Sequence, residues 1–367
     1  MKRNKLLIVI GIVVLIGIVS SLAYKSQNTS ASDDAIRIGA ILPLTDSYAD
    51  MGMWLRAGIE LAIEDINASQ RKTRMILYTE DCVGKPGVAI TQYHKLKGAC
   101  NVDCVFSTLS PVCMSLKPIT IADKMLTVGF LGHDEFLLNG GDTLFRYAWT
   151  ANSEVRYSAE KIIEMEGLSD RTKTVFVHMD NDIGRNFERH YRKSLPGVYK
   201  EFVFSEHEPN VKSIAASIAA EKPDCIITYG YTQDLGFLIK AIRECGCSVR
   251  IYANQGFSSP SIVQAAGLAG EGVYYPDCDI PESEAIVSIR RKVFQKYGIE
   301  LSPMTILAYN ATQLINNAFT IARTKNSREI ADCLKKNSPY KINGMRVDVA
   351  INGEITVPFK MVRHKFN

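Results

Sequence analysis

From Ile36 onward, short runs rich in β-branched residues alternate with amphipathic segments, and the alternation starts afresh near the middle of the chain. Such a pattern builds parallel sheets covered by helices on both faces. The first set of expected strands is Ile36 to Leu42, Met75 to Glu80, Asp103 to Ser107 and Met125 to Phe130. Asp50 to Ile66 reads as the clearest helix between them. Leu55, Ile59, Ala62 and Ile66 form one stripe, and Glu60, Glu64 and Asp65 face away. After a connecting stretch near Tyr147 to Asn152, strands recur at Thr174 to Met179, Glu201 to Phe204, Cys225 to Tyr229 and Val249 to Tyr252. Each set describes one doubly wound, Rossmann-like α/β lobe.

Length agrees with two lobes, because the chain has 367 residues and single cores stop growing near roughly 250. Apolar residues make up 46% and charged residues 22%, values that supply a large core and exclude a disordered chain. Two long helices follow the second set, Glu282 to Tyr297 and Pro303 to Ala322. The chain then closes with an expected hairpin, its Asn352-Gly353 turn lying between Met345 to Ile351 and Ile355 to Val362. A hairpin cannot prolong a parallel series, so the chain is expected to pass between lobes more than once. Residues 36–151 with 281–338 would form the first lobe, and 152–280 with 339–367 the second. Repeated crossings make a hinge, and a cleft between hinged lobes is a natural place for closure around a ligand.

The amino terminus adds a compartment. Lys2, Arg3 and Lys5 precede Leu6 to Ala23, eighteen residues without a charge, and polar residues Lys25 to Asp34 follow. Residues 1–35 thus read as an export segment and linker. They serve either as a signal peptide cut after Ser21-Leu22-Ala23 or as a kept anchor, since about 20 apolar residues span a bilayer. In both cases the positive end stays in the cytoplasm and the lobes lie outside, in the periplasm or on the membrane's outer face. The apolar run is followed by no cysteine, which excludes a lipoprotein anchor there. The formal charge of +4 includes +2 from these residues, and no basic run exists in the remainder. Nucleic acid is therefore excluded as a partner.

Nine cysteines suit an exported chain, where disulfides persist, and the odd number leaves at least one thiol unpaired or bonded between chains. Cys225 opens an apolar run and reads as a small buried hydrophobe. The spacings Cys100-x3-Cys104 and Cys245-x-Cys247 lack the second cysteine or histidine pair of a zinc site, so disulfides or buried thiols are expected and metal is not.

The opening Ile36-Arg-Ile-Gly-Ala-Ile-Leu-Pro-Leu-Thr, with Gly52 and Ala57-Gly58-Ile-Glu-Leu-Ala-Ile-Glu-Asp-Ile-Asn67, resembles the branched-chain amino-acid binding proteins of ATP-driven importers. The likeness continues in order through Glu80-Asp81-Cys82, the Ser110 region, Asp180 to Gly184, Tyr229-Gly230-Tyr231, Gln255-Gly256, Ala269 to Val273, Gly344 and Asn352-Gly353. It implies the type I periplasmic binding protein fold, two Rossmann-like lobes joined by a three-strand hinge. It also implies a small-molecule solute, such as an amino acid or a related amide or carboxylate, and a membrane permease as partner. Carried over by position, the ligand-facing residues are Ser110 and His133 with Leu131 on one wall, and Ile183, Tyr231 and Gln255 on the other. His133 stands where the family has a hydroxyl. Gln255 stands where it has the acid that pairs with the ligand ammonium, so ordinary branched-chain amino acids are doubtful ligands.

Each residue also has an ordinary structural explanation. Ser110 before Pro111 could be a helix cap, His133 a surface histidine, Tyr231 a core aromatic and Gln255 a turn amide. Cys82 and Cys113, in loops after neighbouring strands, form a candidate disulfide at the cleft rim.

Catalysis finds little support in the same residues. The first strand is followed by Leu42-Pro43-Leu44-Thr45 rather than G-x-G-x-x-G, and no phosphate-binding P-loop motif occurs, so no nucleotide cofactor is expected. In Gly256-Phe257-Ser258-Ser259-Pro260 a proline replaces the closing glycine of a nucleophile elbow, which leaves a turn. Ser110, His133 and Asp134 could be drawn as a triad, but binding predicts their adjacency equally well, and no catalytic residue is expected. A membrane-anchored sensor with the same lobes is the alternative to an importer component.

Overall fold

The computed structural model describes residues 35–69, 74–208 and 210–366. The expected export segment lies outside them. No helix among the described residues is long and apolar enough to cross a membrane.

The first lobe runs β1 (Ile36–Leu42), α1 (Ala49–Ser69), β2 (Met75–Asp81), α2 (Pro86–Cys100), β3 (Cys104–Thr108), α3 (Ser110–Ala122), β4 (Leu126–Phe130) and β5 (Leu144–Tyr147). The second runs α4 (Ala151–Glu166), β6 (Lys173–Met179), α5 (Asp182–Ser194), β7 (Val198–Phe204), α6 (Val211–Ala220), β8 (Cys225–Tyr229), α7 (Gln233–Glu244), β9 (Arg250–Ala253), α8 (Pro260–Ala266) and β10 (Tyr274–Cys278). The chain then returns through α9 (Glu284–Tyr297), α10 (Pro303–Ala322), α11 (Ser327–Lys336), β11 (Tyr340–Ile342), β12 (Met345–Val347), β13 (Glu354–Ile355) and β14 (Phe359–Arg363). The two large sheets have matching orders, β13-β5-β4-β3-β1-β2 and β14-β10-β9-β8-β6-β7. Every pairing in them is parallel except β10 with β14.

Side-chain alternation along β1 explains the two helical layers. Ile36, Ile38, Ala40 and Leu42 enter the core beneath α1 and α10, while Ile41 turns to the core under α2 and α3. The α1 stripe of Leu55, Ile59, Ala62 and Ile66 is buried as the spacing requires. Glu60 and Asp65 do not simply face water: Asp65 accepts from Lys292 at 2.6 Å and from Tyr309 at 2.9 Å, and Glu60 accepts from Tyr297 at 2.8 Å. Those acids seat α9 and α10. At Gly58 the α1 backbone comes so close to α10 that an added Cβ would lie 2.2 Å from the Thr305 carbonyl oxygen.

The carboxyl-terminal stretch differs from the expected hairpin. Its first arm ends in β13, which joins the first sheet beside β5, and its second arm is β14, which pairs antiparallel with β10 in the second sheet. Only the bridge Val349 to Ile355 joins the two arms. The tight hairpin is instead β11–β12, turned by Asn343 and Gly344, both at positive φ. Ile342, Met345, Val347, Val349 and Ile355 pack in the first core, so the chain stays with the first lobe past residue 339 and crosses at 356–358. With the crossings at 148–150 and 279–283 this makes three, and the last two are tied by the Asp279 amide on the Pro358 carbonyl at 2.8 Å.

Candidate functional site

Both sheets turn their strand carboxyl ends toward one inter-lobe cavity of about 570 Å3. In each sheet the strand order reverses beside its first strand, and ligands of open α/β sheets sit at that switch point. Ser110, Leu131, His133, Ile183, Tyr231 and Gln255 all line this cavity. The three from each lobe face one another across it.

Ser110 is the first residue of α3 and follows β3 through Leu109, whose φ of 65° is strained for a residue with a side chain. No side chain caps this helix, and the Ser110 hydroxyl makes no hydrogen bond within the protein. The positive end of α3 and a free hydroxyl thus open on the cavity. His133 is fixed through both ends of the residue. Its Nδ1 accepts from the Glu135 amide at 3.2 Å, and its carbonyl accepts from the buried Arg146 guanidinium at 2.8 Å. In the neutral ring the proton then sits on Nε2, which makes His133 a donor.

On the second lobe, Tyr231 follows β8 and packs edge-on against Tyr229 with ring centroids 5.2 Å apart. Gly256 allows this, since a Cβ there would lie 2.6 Å from the Tyr231 ring. Gln255 is 4% exposed, and its amide nitrogen donates to Ser258 at 3.1 Å and to Asp277 at 3.3 Å. Its backbone N–H donates to Glu154 Oε1 at 2.9 Å. Glu154 is buried, and its Oε2 makes no hydrogen bond. Burial pushes its carboxyl up to about 8, against the opposing pull of the Gln255 amide and the Trp149 indole. Burial likewise raises Asp277. At the mouth, Arg185 pairs with Asp180 at 2.5 Å and with Asp182 at 2.8 Å, both exposed ion pairs.

Sequence reasoning missed the contacts that join the lobes around the cavity. Asp50, at the start of α1, accepts from the Ser259 hydroxyl at 2.8 Å and the Ser261 amide at 3.3 Å, which caps α8 from the opposite lobe. Asp134, beside His133, accepts from Asn186 at 3.1 Å and His190 at 2.8 Å on α5. Both sets of contacts tie the first lobe to the second. Periodicity gave no signal for them, because each partner is an ordinary polar residue whose neighbour lies far along the chain.

The candidate disulfide is not formed. Both are free thiols: Cys82 packs with Ile41, Tyr93 and Val105, and Cys113 packs with Leu131 and Phe136 near enough to Cys82 to feel its charge. Burial pushes their thiols up to about 11 and about 12. Cys225 is a buried thiol, as its apolar run suggests.

Two α/β lobes around a closable cleft define a class of solute-binding folds. The chain belongs to the periplasmic binding protein family, whose profile matches residues 35–363. It is 25% identical over 327 residues to Leu/Ile/Val-binding protein homolog 2 of Brucella abortus, covering 85% of each chain. Its fold is similar to that of the branched-chain amino acid transporter substrate binding protein LivJ from Streptococcus pneumoniae in complex with isoleucine. That likeness has a TM-score of 0.81 at 18% identity and covers 90% of this chain and 100% of the other. A solute binding protein of an ABC transporter from R. palustris in complex with benzoate matches with a TM-score of 0.79 at 18% identity, over 90% of this chain and 93% of the other.

Proposed function

We propose that this chain is the extracytoplasmic solute-binding component of an ABC importer, which closes on a small polar solute and hands it on chemically unchanged. The observation that carries this reading is the pairing of opposed cavity walls with clasps that hold the lobes together. Ser110, His133 and the start of α3 donate from the first lobe. Tyr231 and Gln255 complete the solute's hydrogen bonds from the second, and Leu131 and Ile183 pack its apolar part. Isoleucine and benzoate, bound by two proteins of similar fold, share a carboxylate, which is the group those first-lobe donors suit. Binding energy then selects the closed form. The export segment, cut or kept, delivers the lobes to the outer face of the cytoplasmic membrane, where a permease would meet them.

Calorimetry against amino acids, amides and small carboxylates, joined to small-angle scattering, tests the proposal. A tight binder should make the particle more compact, and its affinity should fall at least tenfold in Tyr231→Ala. Tight binding with no compaction, or turnover of the solute into product, would refute it.

A further inference from the structure

The Gln255 side chain has only one orientation that its neighbours accept. Its nitrogen donates to Ser258 Oγ and Asp277 Oδ1, and Asp277 Oδ1 also accepts the Cys278 amide at 2.9 Å. Turning the amide over would set a carbonyl oxygen against an oxygen that already serves as an acceptor. The Gln255 oxygen makes no hydrogen bond within the protein and is not among the fully enclosed polar atoms, and the residue lines the cavity. The cavity therefore meets an acceptor there.

We infer that Asp277 locks Gln255 with its carbonyl oxygen toward the cavity, so this end of the site takes the neutral hydrogen-bond donor of an aromatic carboxylate and rejects an ammonium. The inference rests on the solute-binding reading and names the class of solute. An ammonium would need an ionised partner at this depth. Of the acids lining the cavity, Asp182 is 85% exposed and paired with Arg185, and Glu135 is exposed. Glu154 lies behind the Gln255 backbone rather than on the cavity wall, and burial pushes its carboxyl up to about 8. A buried ammonium without a charged partner binds about a hundredfold more weakly. A phenolic hydroxyl or carboxamide N–H needs only the one acceptor that Gln255 offers. Phe130, Trp149, Tyr229 and Tyr231 supply flat walls around it, and Met51 and Met304 fill the remaining gaps.

Titration calorimetry of the purified chain with 4-hydroxybenzoate, benzoate and L-phenylalanine tests this. The hydroxy acid should bind about tenfold more tightly than benzoate, the worth of one well-placed hydrogen bond, and about a hundredfold more tightly than the amino acid. In Gln255→Leu the preference for the hydroxyl should fall to about one. Asp277→Ala should lower that preference, and Asp277→Asn, which keeps the accepting oxygen, should restore it. A merely structural role for Asp277 would weaken both acids equally. L-phenylalanine binding as tightly as the hydroxy acid, or a hydroxyl preference that survives Gln255→Leu, overturns the inference. So does failure of both aromatic acids to bind. Compaction on adding an amino acid would leave the solute-binding proposal standing while this inference falls, whereas no compaction with any solute tested would remove both.

Discussion

Asp50 of the first lobe accepts a hydrogen bond from Ser259 of the second at 2.8 Å, across 209 residues of sequence. The same carboxylate receives the Ser261 amide, and no side chain of the second lobe caps α8. A helix end finished by the opposite lobe is complete only when the lobes are shut. Removing such a cap costs about 1 kcal/mol, roughly fivefold in the balance of closed and open forms. Asp50→Ala should therefore enlarge the radius of gyration of the free protein in solution scattering. Equal radii for variant and parent would show that this contact does not hold the lobes.

Asp134 supplies the second clasp, and its dependence on pH follows from its surroundings. Burial pushes its carboxyl up, but the hydrogen bonds from Asn186, His190 and the Asn152 amide prevail and hold it below its ordinary value. A lowered carboxylate contributes its full stabilisation above the ordinary value of about 3.9 and loses it as pH falls through the lowered one. Asp134→Asn should thus loosen closure at pH 6 by about 2 kcal/mol. Once pH has fallen through that lowered value, parent and variant should converge. Fluorescence transfer between dyes placed on the two lobes reads this, and a difference that persists undiminished in acid would contradict it.

How far the sequence reveals this molecule depends on whether a residue's neighbours are local. The spacing Pro303 to Ala322 matches α10, and Cys225 to Tyr229 matches β8, because continuous apolar character marks elements covered on both sides. Strand β5 was hidden by Arg146, a charge that reads as surface yet is 3% exposed and pairs with Glu354 at 3.3 Å, far along the chain. Strand β10 was hidden by Pro276, which breaks a strand pattern but is tolerated where β10 keeps only Tyr274 in register with β9. The Asn352-Gly353 turn was legible, but the sheets that each arm would join were not. Among site residues, those at strand ends could be carried over from a family resemblance. Glu154 and Asp277 could not, because their importance comes only from burial behind Gln255.

Gly58 offers a test in which two effects oppose each other. Alanine favours a helix interior over glycine by about 1 kcal/mol. Here the added methyl would lie 2.2 Å from the Thr305 carbonyl oxygen and 3.0 Å from the Ala308 Cβ, so α1 and α10 would have to separate. Overpacking of that kind costs about 1 to 3 kcal/mol, and more when backbone must move. Gly58→Ala should accordingly lower the midpoint of urea unfolding despite its better helix propensity. A raised midpoint would mean that the helices part without strain.

Glu154 provides a pH signature opposite in sign to that of Asp134. Its carboxyl is raised by burial to about 8 in the folded chain, with the Gln255 amide and Trp149 indole opposing. In the unfolded chain it titrates near the ordinary value of about 4.3. Between those values the folded state keeps a proton that the unfolded state has released, so stability falls as pH rises across that window. Above about 8 both states are ionised, and the remaining loss is constant. Glu154→Gln keeps an oxygen to accept the Gln255 amide but has no proton to lose. Relative to the parent it should gain a few kcal/mol in urea unfolding by pH 9, and the gain should shrink toward zero near pH 4. A gain independent of pH would mean that Glu154 carries its charge in both states, and a loss at pH 9 would mean that the buried charge is compensated by a partner.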